Sequence, residues 1–297
     1  MRIDFEDVTP RHNRIKLGTI VILVILFIGL FGLLGMYYAK LYNFNIFAEL
    51  KDNYKEYIEE QKNKNEGKED LVKDLKLPIY TDNSREAMQK IYNTNSKIAY
   101  LTFDDGPSEI VTNLILDVLK EENVKATFFV IGSNLNKYPE IVKRAYTEGH
   151  YIANHGYSHN YEKIYSNADN VLEEYNKTEK AIQKAIGVSE YSSHLFRFPG
   201  GYSGSSYKTI KRKAGNLLNK NNISYIDWNV LTGDAQGANT KEKIIKNIKK
   251  YTKDKGNIVV LMHDSSSKIL TYETLREVIT YLRGEGYIFD NFYNIMK

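Results

Sequence analysis

The feature that most constrains the fold of this chain is a set of polar residues, each placed where an apolar, strand-like run ends. These residues are an aspartate pair, a histidine pair, an arginine, an Asp-Trp pair and a further histidine, at 104–105, 155 and 159, 197, 227–228, and 263. In α/β proteins the carboxyl ends of parallel strands meet at one edge, where active sites lie. The sequence therefore predicts an α/β domain with one active site that combines carboxylates, imidazoles and a guanidinium.

Composition excludes several kinds of chemistry. The 297 residues include no cysteine, which rules out thiol nucleophiles, disulfides and thiolate metal sites. The net charge of +4 is weak and is spread along the chain. We therefore predict no nucleic-acid partner.

An uncharged apolar segment occupies residues 17–39. At 1.5 Å per residue it spans roughly 34 Å, enough to cross the hydrocarbon core of a bilayer. A cleaved signal peptide is the alternative, but its apolar core is usually about 7–15 residues long and ends at a small-x-small site. We interpret the segment as an uncleaved single-pass anchor. Arg11, Arg14 and Lys16 precede it, which predicts a cytoplasmic tail at 1–16 and an extracytoplasmic remainder.

Residues 40–94 are dense in lysine and glutamate, and we interpret them as a charged spacer, either helical or disordered. From about residue 95 to 297, strand-like and helix-like patterns alternate. Strands are predicted at 98–103 and 126–131 and near 223 and 258, and helices at 110–122, 139–149, 169–186, 208–222, 240–253 and 271–283. This alternation predicts either a barrel, complete or incomplete, or a doubly wound sheet.

The histidine pair has the spacing of a shared metal site. On a helical turn, His155 and His159 would point the same way, as one metal ion requires. The same spacing also occurs among ordinary surface residues. The strand before the pair, with Asn154 at its end, favours the metal interpretation without deciding it.

Residues 102–107, Thr-Phe-Asp-Asp-Gly-Pro, place two adjacent aspartates at a strand end. Neighbouring strand residues point to opposite sides, so one aspartate can bind a metal while the other is a base. A helix cap or Asx-turn is the structural alternative. Two histidines and a carboxylate suit hydrolytic Zn²⁺ or non-haem Fe(II). The second acid, Arg197 and His263 favour hydrolysis, with an aspartate as base and His263 as acid.

Together these motifs resemble the polysaccharide deacetylase family, carbohydrate esterase family four, over about residues 95 to 290. The resemblance implies a distorted, incomplete (β/α) barrel. It also implies roles for the polar residues: Asp105, His155 and His159 bind the metal, and Asp104 is the general base. Arg197, in the sequence Arg-Phe-Pro-Gly, pairs with that base.

The same resemblance assigns three further positions. The backbone N–H of Gly200 donates to the oxyanion, Leu261 lies on the substrate side, and His263 of Leu-Met-His is the general acid. An aspartate tunes this histidine, and Asp227 and Asp234 are the two candidates, of which we favour Asp234.

The chain departs from the family pattern at three places. Gly156 stands where a serine or threonine usually follows the first histidine, which removes a hydrogen bond to the loop. Gly200-Gly201 replaces an aromatic residue after the proline. Ala235 occupies the position of the family's pocket tryptophan, so the single tryptophan, Trp228, is either a pocket residue or a core residue.

The function predicted from the sequence is metal-dependent removal of N-acetyl groups from a cell-surface glycan. An anchored domain outside the membrane lies beside the cell wall, so N-acetylglucosamine of peptidoglycan is the leading substrate. Alternatives are poly-N-acetylglucosamine, chitin oligomers, N-acetylmuramic acid, acetylated xylan, or an inactive glycan-binding scaffold. Zn²⁺ is the favoured metal, and Co²⁺, Ni²⁺ and Mn²⁺ also suit the ligands.

Overall fold

The computed structural model describes residues 77–297, in which parallel strands alternate with helices along the chain. The strands are β1 Ile98–Asp104, β2 Thr127–Val130, β3 Tyr151–Asn154, β4 Leu195–Phe196, β5 Ser224–Tyr225, β6 Val230–Leu231, β7 Ile258–His263 and β8 Ile288–Asp290. The helices are α1 Asp82–Gln89, α2 Val111–Glu121, α3 Gly132–Leu135, α4 Pro139–Thr147, α5 Tyr161–Ile164, α6 Ala168–Ile186, α7 Lys208–Lys220, α8 Lys241–Thr252 and α9 Ile269–Gly284. A 3₁₀ turn at Phe292–Asn294 follows β8.

The sheet curves into a barrel that does not close. Its order is β5-β4-β3-β2-β1-β7-β6, and every observed pair is parallel. Strand β8 pairs with the beginning of β1, where β2 does not reach. Among the described strands, β5 and β6 are not paired with each other, so the barrel stays open between them. This confirms the predicted incomplete barrel.

The central strands are apolar runs whose residues are buried on both faces of the sheet. Strands β2, β3 and β7 are buried throughout, and β1 is buried except at Ile98. Strands of this kind read as continuous apolar runs rather than alternating ones. On one face of β1, Phe103 stacks on Phe128 of β2, and on the other face Tyr100 stacks on Phe292. The side chain of Asp104 therefore shares the inner face with Tyr100 and Thr102.

The two ends of the barrel differ in chemistry. Apolar side chains fill the end where the strands begin, and we call them the apolar plug: Met88, Ile91, Phe292, Tyr293 and Met296. The loops that follow β1, β3, β4, β5, β6 and β7 form the opposite end, which we call the carboxyl rim. The polar residues singled out in the sequence lie at this rim.

The predicted elements are confirmed with small shifts of their ends, but the predicted boundary at residue 95 lies inside the packed region. Helix α1 begins after Thr81, whose side chain accepts a hydrogen bond from the Ser84 N–H. Met88 and Ile91 are buried in the core. Packing of the domain therefore begins before residue 95, within the stretch predicted to be spacer.

Residues 1–76, with the predicted anchor and most of the predicted spacer, lie outside the described part of the chain. Within residues 77–297, no helix is long and apolar enough to cross a membrane.

Candidate active site

Strand register brings the predicted site residues together at the carboxyl rim. Asp104 at the end of β1 is the register partner of His263 at the end of β7. Asn154 at the end of β3 pairs with Phe196 of β4, so His155 and Arg197 follow at the same level. The backbone N–H of Arg197 donates to the carbonyl of Asn154 at 2.9 Å.

Three of these residues form a group suited to a metal ion. Oδ1 of Asp105 lies 3.5 Å from Nε2 of His155 and 3.2 Å from Nε2 of His159. The ligand atoms of the three residues all lie within 4.8 Å of one another. Oδ1 of Asp105 is buried and has no hydrogen-bond partner among the described residues. A buried, unpaired carboxylate oxygen facing two imidazole nitrogens fits a bound divalent cation.

The backbone makes this arrangement in a way that the sequence did not predict. The histidine pair was expected on a helical turn, and this was wrong, because residues 155–160 form a loop. We call this segment the histidine loop. His159 has φ of +51° and Asp105 has φ of +75°. Aspartate tolerates the left-handed region better than most residues, and this turn takes Asp105 out of the strand geometry that Asp104 still obeys.

Hydrogen bonding fixes the tautomer of His155. Its Nδ1 lies 2.8 Å from the carbonyl oxygen of Arg197, which can only accept a hydrogen bond. The hydrogen therefore resides on Nδ1, and the lone pair of Nε2 faces Asp105. Backbone geometry thus prepares this imidazole as a ligand.

Charges in this group oppose the effects of burial. Burial disfavours ionisation of Asp105, but the neighbouring imidazoles of His155 and His159 outweigh burial, so the pKa of Asp105 falls well below its ordinary range. Burial, followed by the charge of His155, lowers the pKa of His159. Both shifts favour the protonation states that bind a cation.

Asp104 and Arg197 form a buried ion pair. Nη1 of Arg197 donates to Oδ1 of Asp104 at 2.8 Å and to Oγ1 of Thr102 at 2.7 Å. Its other nitrogens donate to the carbonyl oxygens of Ile226 and Asp227. Arg197 has no exposed surface, so the alternative of a surface ion pair is wrong. A fully hydrogen-bonded guanidinium holds Asp104 in one orientation, with its Oδ2 3.8 Å from Nε2 of His155.

His263 contacts Asp234, as favoured, and not Asp227. Oδ1 of Asp234 lies 2.9 Å from Nδ1 of His263, and Oδ2 accepts from the His263 backbone N–H at 2.8 Å and from Thr271 Oγ1 at 2.8 Å. Burial lowers the pKa of His263, but the hydrogen bond and charge of Asp234 raise it above its usual value overall. Asp227 instead accepts from the backbone N–H groups of Tyr202 and Ser203.

The remaining predicted residues also lie near the rim. Gly200 has φ of +73°, is exposed, and its N–H donates to no residue in the described range. Leu261 precedes His263 by two positions in β7 and is buried on the same face. Trp228 is half-buried, packs against the core, and also lines a cleft that includes Gly200 and Gly201. Trp228 therefore has the core role, and its role in the acetyl pocket stays a prediction.

Sequence reasoning missed Glu174, which holds the histidine loop. Oε2 of this buried α6 residue accepts hydrogen bonds from the backbone N–H groups of Tyr157 at 2.9 Å and Ser158 at 2.6 Å. A Cβ at Gly156 would lie 3.0 Å from Ile164 and 3.8 Å from the same carboxylate oxygen. Glu174 therefore anchors a loop whose second residue has no hydroxyl to do so. The sequence signal that could have revealed this role is that Glu174 lies on the apolar face of the predicted helix, where a carboxylate needs a partner.

Tyr161 was also missed. Its ring meets that of His159 at a centroid distance of 5.5 Å, and its hydroxyl oxygen would lie 3.0 Å from a Cβ at Gly200. The ring thus occupies space beside the glycine where the family pattern has an aromatic side chain. An exposed tyrosine after the second histidine carries no motif of its own, so only the fold reveals this contact.

The glycine of the aspartate motif is explained by a buried carboxyl group. A Cβ at Gly106 would lie 2.1 Å from Oδ2 of Asp264. That oxygen accepts a hydrogen bond from Thr112 Oγ1 at 2.7 Å. Burial, reinforced by the charges of Asp105 and Asp104, raises the pKa of Asp264 to about 7. Only glycine leaves room for this carboxyl beneath the loop that carries Asp105.

Comparison with known proteins places this rim in a family. Residues 91–218 match the family model described as polysaccharide deacetylase. A peptidoglycan N-acetylglucosamine deacetylase of Bacillus cereus is 31% identical over 215 residues, which cover 71% of this chain and 74% of that protein. The solved structure of a family 4 carbohydrate esterase from Streptococcus mutans aligns with a TM-score of 0.63 at 32% identity, covering 71% and 92% of the two chains.

The chain belongs to the polysaccharide deacetylase family. A further relative, a peptidoglycan N-acetylmuramic acid deacetylase of Bacillus subtilis, is 39% identical over 155 residues, which cover 51% of this chain and 30% of that protein. Polysaccharide deacetylases are metal-dependent hydrolases, and the Asp105, His155 and His159 group is a possible metal site of this member.

Proposed function

We propose that this polysaccharide deacetylase removes N-acetyl groups from N-acetylglucosamine units of peptidoglycan. The observation that carries the proposal is the grouping at one rim of three sets of side chains. These are a possible metal site, an arginine-paired aspartate and an aspartate-paired histidine. Hydrolysis of an amide needs a proton acceptor for water and a proton donor for the departing nitrogen, and the rim offers both.

Asp105, His155 and His159 would hold a divalent cation, and their carboxylate and imidazole atoms suit Zn²⁺, with Co²⁺, Ni²⁺ and Mn²⁺ as alternatives. When bound, such a cation supplies Lewis-acid polarisation of the acetyl carbonyl and lowers the pKa of water. The hydrogen bond from His155 Nδ1 to the Arg197 carbonyl keeps this ligand in its required tautomer.

Asp104 acts as the general base. The buried guanidinium of Arg197 donates a hydrogen bond to its Oδ1 and fixes its orientation, leaving Oδ2 directed towards the side of His155. Asp104 takes one proton from the attacking water. The N–H of Gly200 stabilises the negative charge that develops on the carbonyl oxygen.

His263 acts as the general acid. Asp234 raises its pKa, so the imidazolium persists to a higher pH than it would in an unpaired histidine. The proton passes to the nitrogen as the C–N bond breaks, which releases acetate and a glucosamine amine. The carboxylate of Asp234 stabilises the positive charge of the His263 ring before the proton is transferred. It also holds the ring in one orientation before and after the transfer.

The relative from Bacillus cereus supports N-acetylglucosamine as the substrate, and the relative from Bacillus subtilis supports N-acetylmuramic acid as the second candidate. We further propose that the apolar residues 17–39 anchor the protein in the cell membrane, with residues 1–16 inside. The charged residues that follow would then hold the deacetylase domain on the outer side, facing the wall.

Mass spectrometry of muropeptides tests the proposal. Purified protein is incubated with Zn²⁺ and peptidoglycan, with an Asp104→Asn preparation and a chelator-treated preparation as controls. Loss of the mass of the acetyl group from glucosamine, absent from both controls, is the expected result. Loss from muramic acid would retain the mechanism and replace the substrate. Absence of loss from peptidoglycan, poly-N-acetylglucosamine and chitin oligomers would favour an inactive scaffold.

A further inference from the structure

A cleft of about 840 Å³ lies beside the carboxyl rim. It is lined by the connection between β5 and β6, by the loop after β4, and by the segments that lead into β1 and β7. These are the parts of the chain that surround the open side of the barrel. The volume falls within the roughly 300–1,000 Å³ typical of small-molecule sites. We call it the side cleft.

We propose that the side cleft binds one or two sugar units of the glycan whose acetylated unit occupies the rim. The proposal rests on the proposed function for the identity of the glycan. It assigns to Trp228 and Tyr92 a binding role that is separate from the metal group and from the proton-transfer residues.

The lining has the chemistry that recognises a pyranose ring. Trp228 is half-buried and Tyr92 is 37% exposed, so both offer aromatic surface to the cleft. The C–H face of a sugar packs on aromatic rings, and its hydroxyls bond to amides and carboxylates. Asn93, Asn95 and Asp254 are exposed residues of the same lining and supply these polar groups.

The walls of the cleft are fixed by internal hydrogen bonds. Oδ1 of Asn257 accepts from the Ile98 N–H and from Ser96 Oγ, both at 3.1 Å. The side chain of Asn229 donates to the Asn257 carbonyl at 3.0 Å and accepts from the Val259 N–H at 2.8 Å. Because these contacts join the segments before β1, β6 and β7, the cleft exists before any sugar binds, which reduces the ordering cost of binding.

The side cleft is continuous with the reaction site. Gly200 and Gly201 belong to its lining, and Gly200 also carries the proposed oxyanion donor. A Cβ at Gly201, where φ is +76°, would lie 3.0 Å from Cη2 of Trp228. The backbone therefore lies directly against the indole, and no side chain at either glycine separates the two sites. A glycan chain can pass from the rim over this glycine pair to the tryptophan.

Fluorescence tests the proposal directly, because Trp228 is the only tryptophan in the sequence. The full chain carrying Asp104→Asn, which prevents turnover, is titrated with N-acetylglucosamine oligomers of one to six units. We expect a saturable change in emission whose Kd decreases as the oligomer lengthens. Adding Tyr92→Ala should raise the Kd for the hexamer about tenfold, equivalent to about 1.4 kcal/mol.

Two matched variants control this result. Tyr92→Phe keeps the ring and should bind nearly as the parent does, and Tyr138→Ala removes a half-buried tyrosine outside the cleft lining and should have no effect. If Tyr92→Ala does not fold, Ser203→Tyr, which adds bulk at an exposed position of the lining, should weaken binding instead.

Steady-state kinetics separate this proposal from the proposed function. In the active enzyme, Tyr92→Ala should raise KM for the hexamer about tenfold and leave kcat unchanged, with no change for the monosaccharide, which does not reach the cleft. The cleft assignment would be overturned if Tyr92→Ala and Ser203→Tyr each had the KM of the parent enzyme for every oligomer length. It would also be overturned if the emission of Trp228 did not respond to any oligomer. Oligomer binding at Trp228 without any deacetylation would refute only the proposed function.

Discussion

The two ends of the barrel are made by the same strands but contain opposite chemistry. At the end with the apolar plug, Phe292 has no exposed surface and stacks on Tyr100 at 5.2 Å, with Phe129 and Tyr151 at edge contact. At the carboxyl rim, equally buried positions are occupied by Asp104 and Arg197.

The difference shows how the fold divides stability from activity. Burial of aromatic rings at the apolar plug stabilises the folded state by removing apolar surface from water. A buried ion pair contributes little net stability, because desolvation offsets its attraction. The rim therefore depends on the plug for its geometry. Each of the following variants tests one side of this division.

Asp104→Asn should produce the largest effect. The amide cannot take a proton from water, so kcat should fall by a factor on the order of 10³ to 10⁴. Since Asp104 is outside the proposed ligand set, Co²⁺ bound to the variant should give a similar visible spectrum and a similar stoichiometry. Loss of the metal from this variant would show that the assigned base is a ligand.

Phe292→Ala should affect the other end. Removal of a fully buried ring should lower the free energy of unfolding by about 3–5 kcal/mol, measured by urea denaturation. Metal affinity of the protein that remains folded should be unchanged, and Phe289→Ala, at a half-exposed position, should cost much less. If Phe292→Ala folded but did not bind metal, stability at the apolar plug and metal binding at the carboxyl rim would not be separable.

Asp234→Asn should change the pH dependence of the reaction. The pKa of His263 is raised in the folded protein chiefly by Asp234, against the effect of burial, so the protonated acid persists as the pH rises. Without the carboxylate this pKa falls, and the alkaline limb of kcat/KM should move to lower pH. We expect a loss of about 10- to 100-fold at alkaline pH from the lower fraction of imidazolium. If the alkaline limb did not move, His263 could not be the group whose deprotonation causes it.

Glu174→Gln should give the smallest of these effects. The amide oxygen of glutamine is a weaker hydrogen-bond acceptor than the Glu174 carboxylate for the N–H groups of Tyr157 and Ser158. The histidine loop is therefore held less firmly. Metal affinity, measured by competition with a chelating dye, should fall about tenfold. Glu173→Gln, on the exposed face of the same helix, is the matched control and should bind metal as the parent does. Equal affinities for all three proteins would remove Glu174 from the account.

The sequence predicted the parts of the site that lie next to strands. Asp104, His155, Arg197 and His263 follow apolar runs, and parallel pairing brings strand ends together whatever the rest of the chain does. The partner of His263 was narrowed to Asp227 or Asp234 with Asp234 favoured, but the contact itself depends on how the loop after β6 folds.

What the sequence did not predict depends on contacts between distant elements. Glu174 reaches the histidine loop from α6, and Tyr161 lies against Gly200, 39 positions away in the chain. The prediction of a helical turn for His155 and His159 was wrong, because the left-handed φ of His159 is set by the folded loop and not by the local sequence. The domain boundary was placed too late because polar residues around α1 conceal two core positions, Met88 and Ile91.

The proposed mechanism requires one catalytic divalent ion at the carboxyl rim, bound by Asp105, His155 and His159. Metal-free protein prepared with a chelator is titrated with Zn²⁺ while deacetylation of N-acetylglucosamine oligomers is followed. We expect no activity at the start, a linear rise that ends at one ion per chain, and no such rise in His155→Ala. Full activity in protein shown by elemental analysis to be metal-free would contradict it.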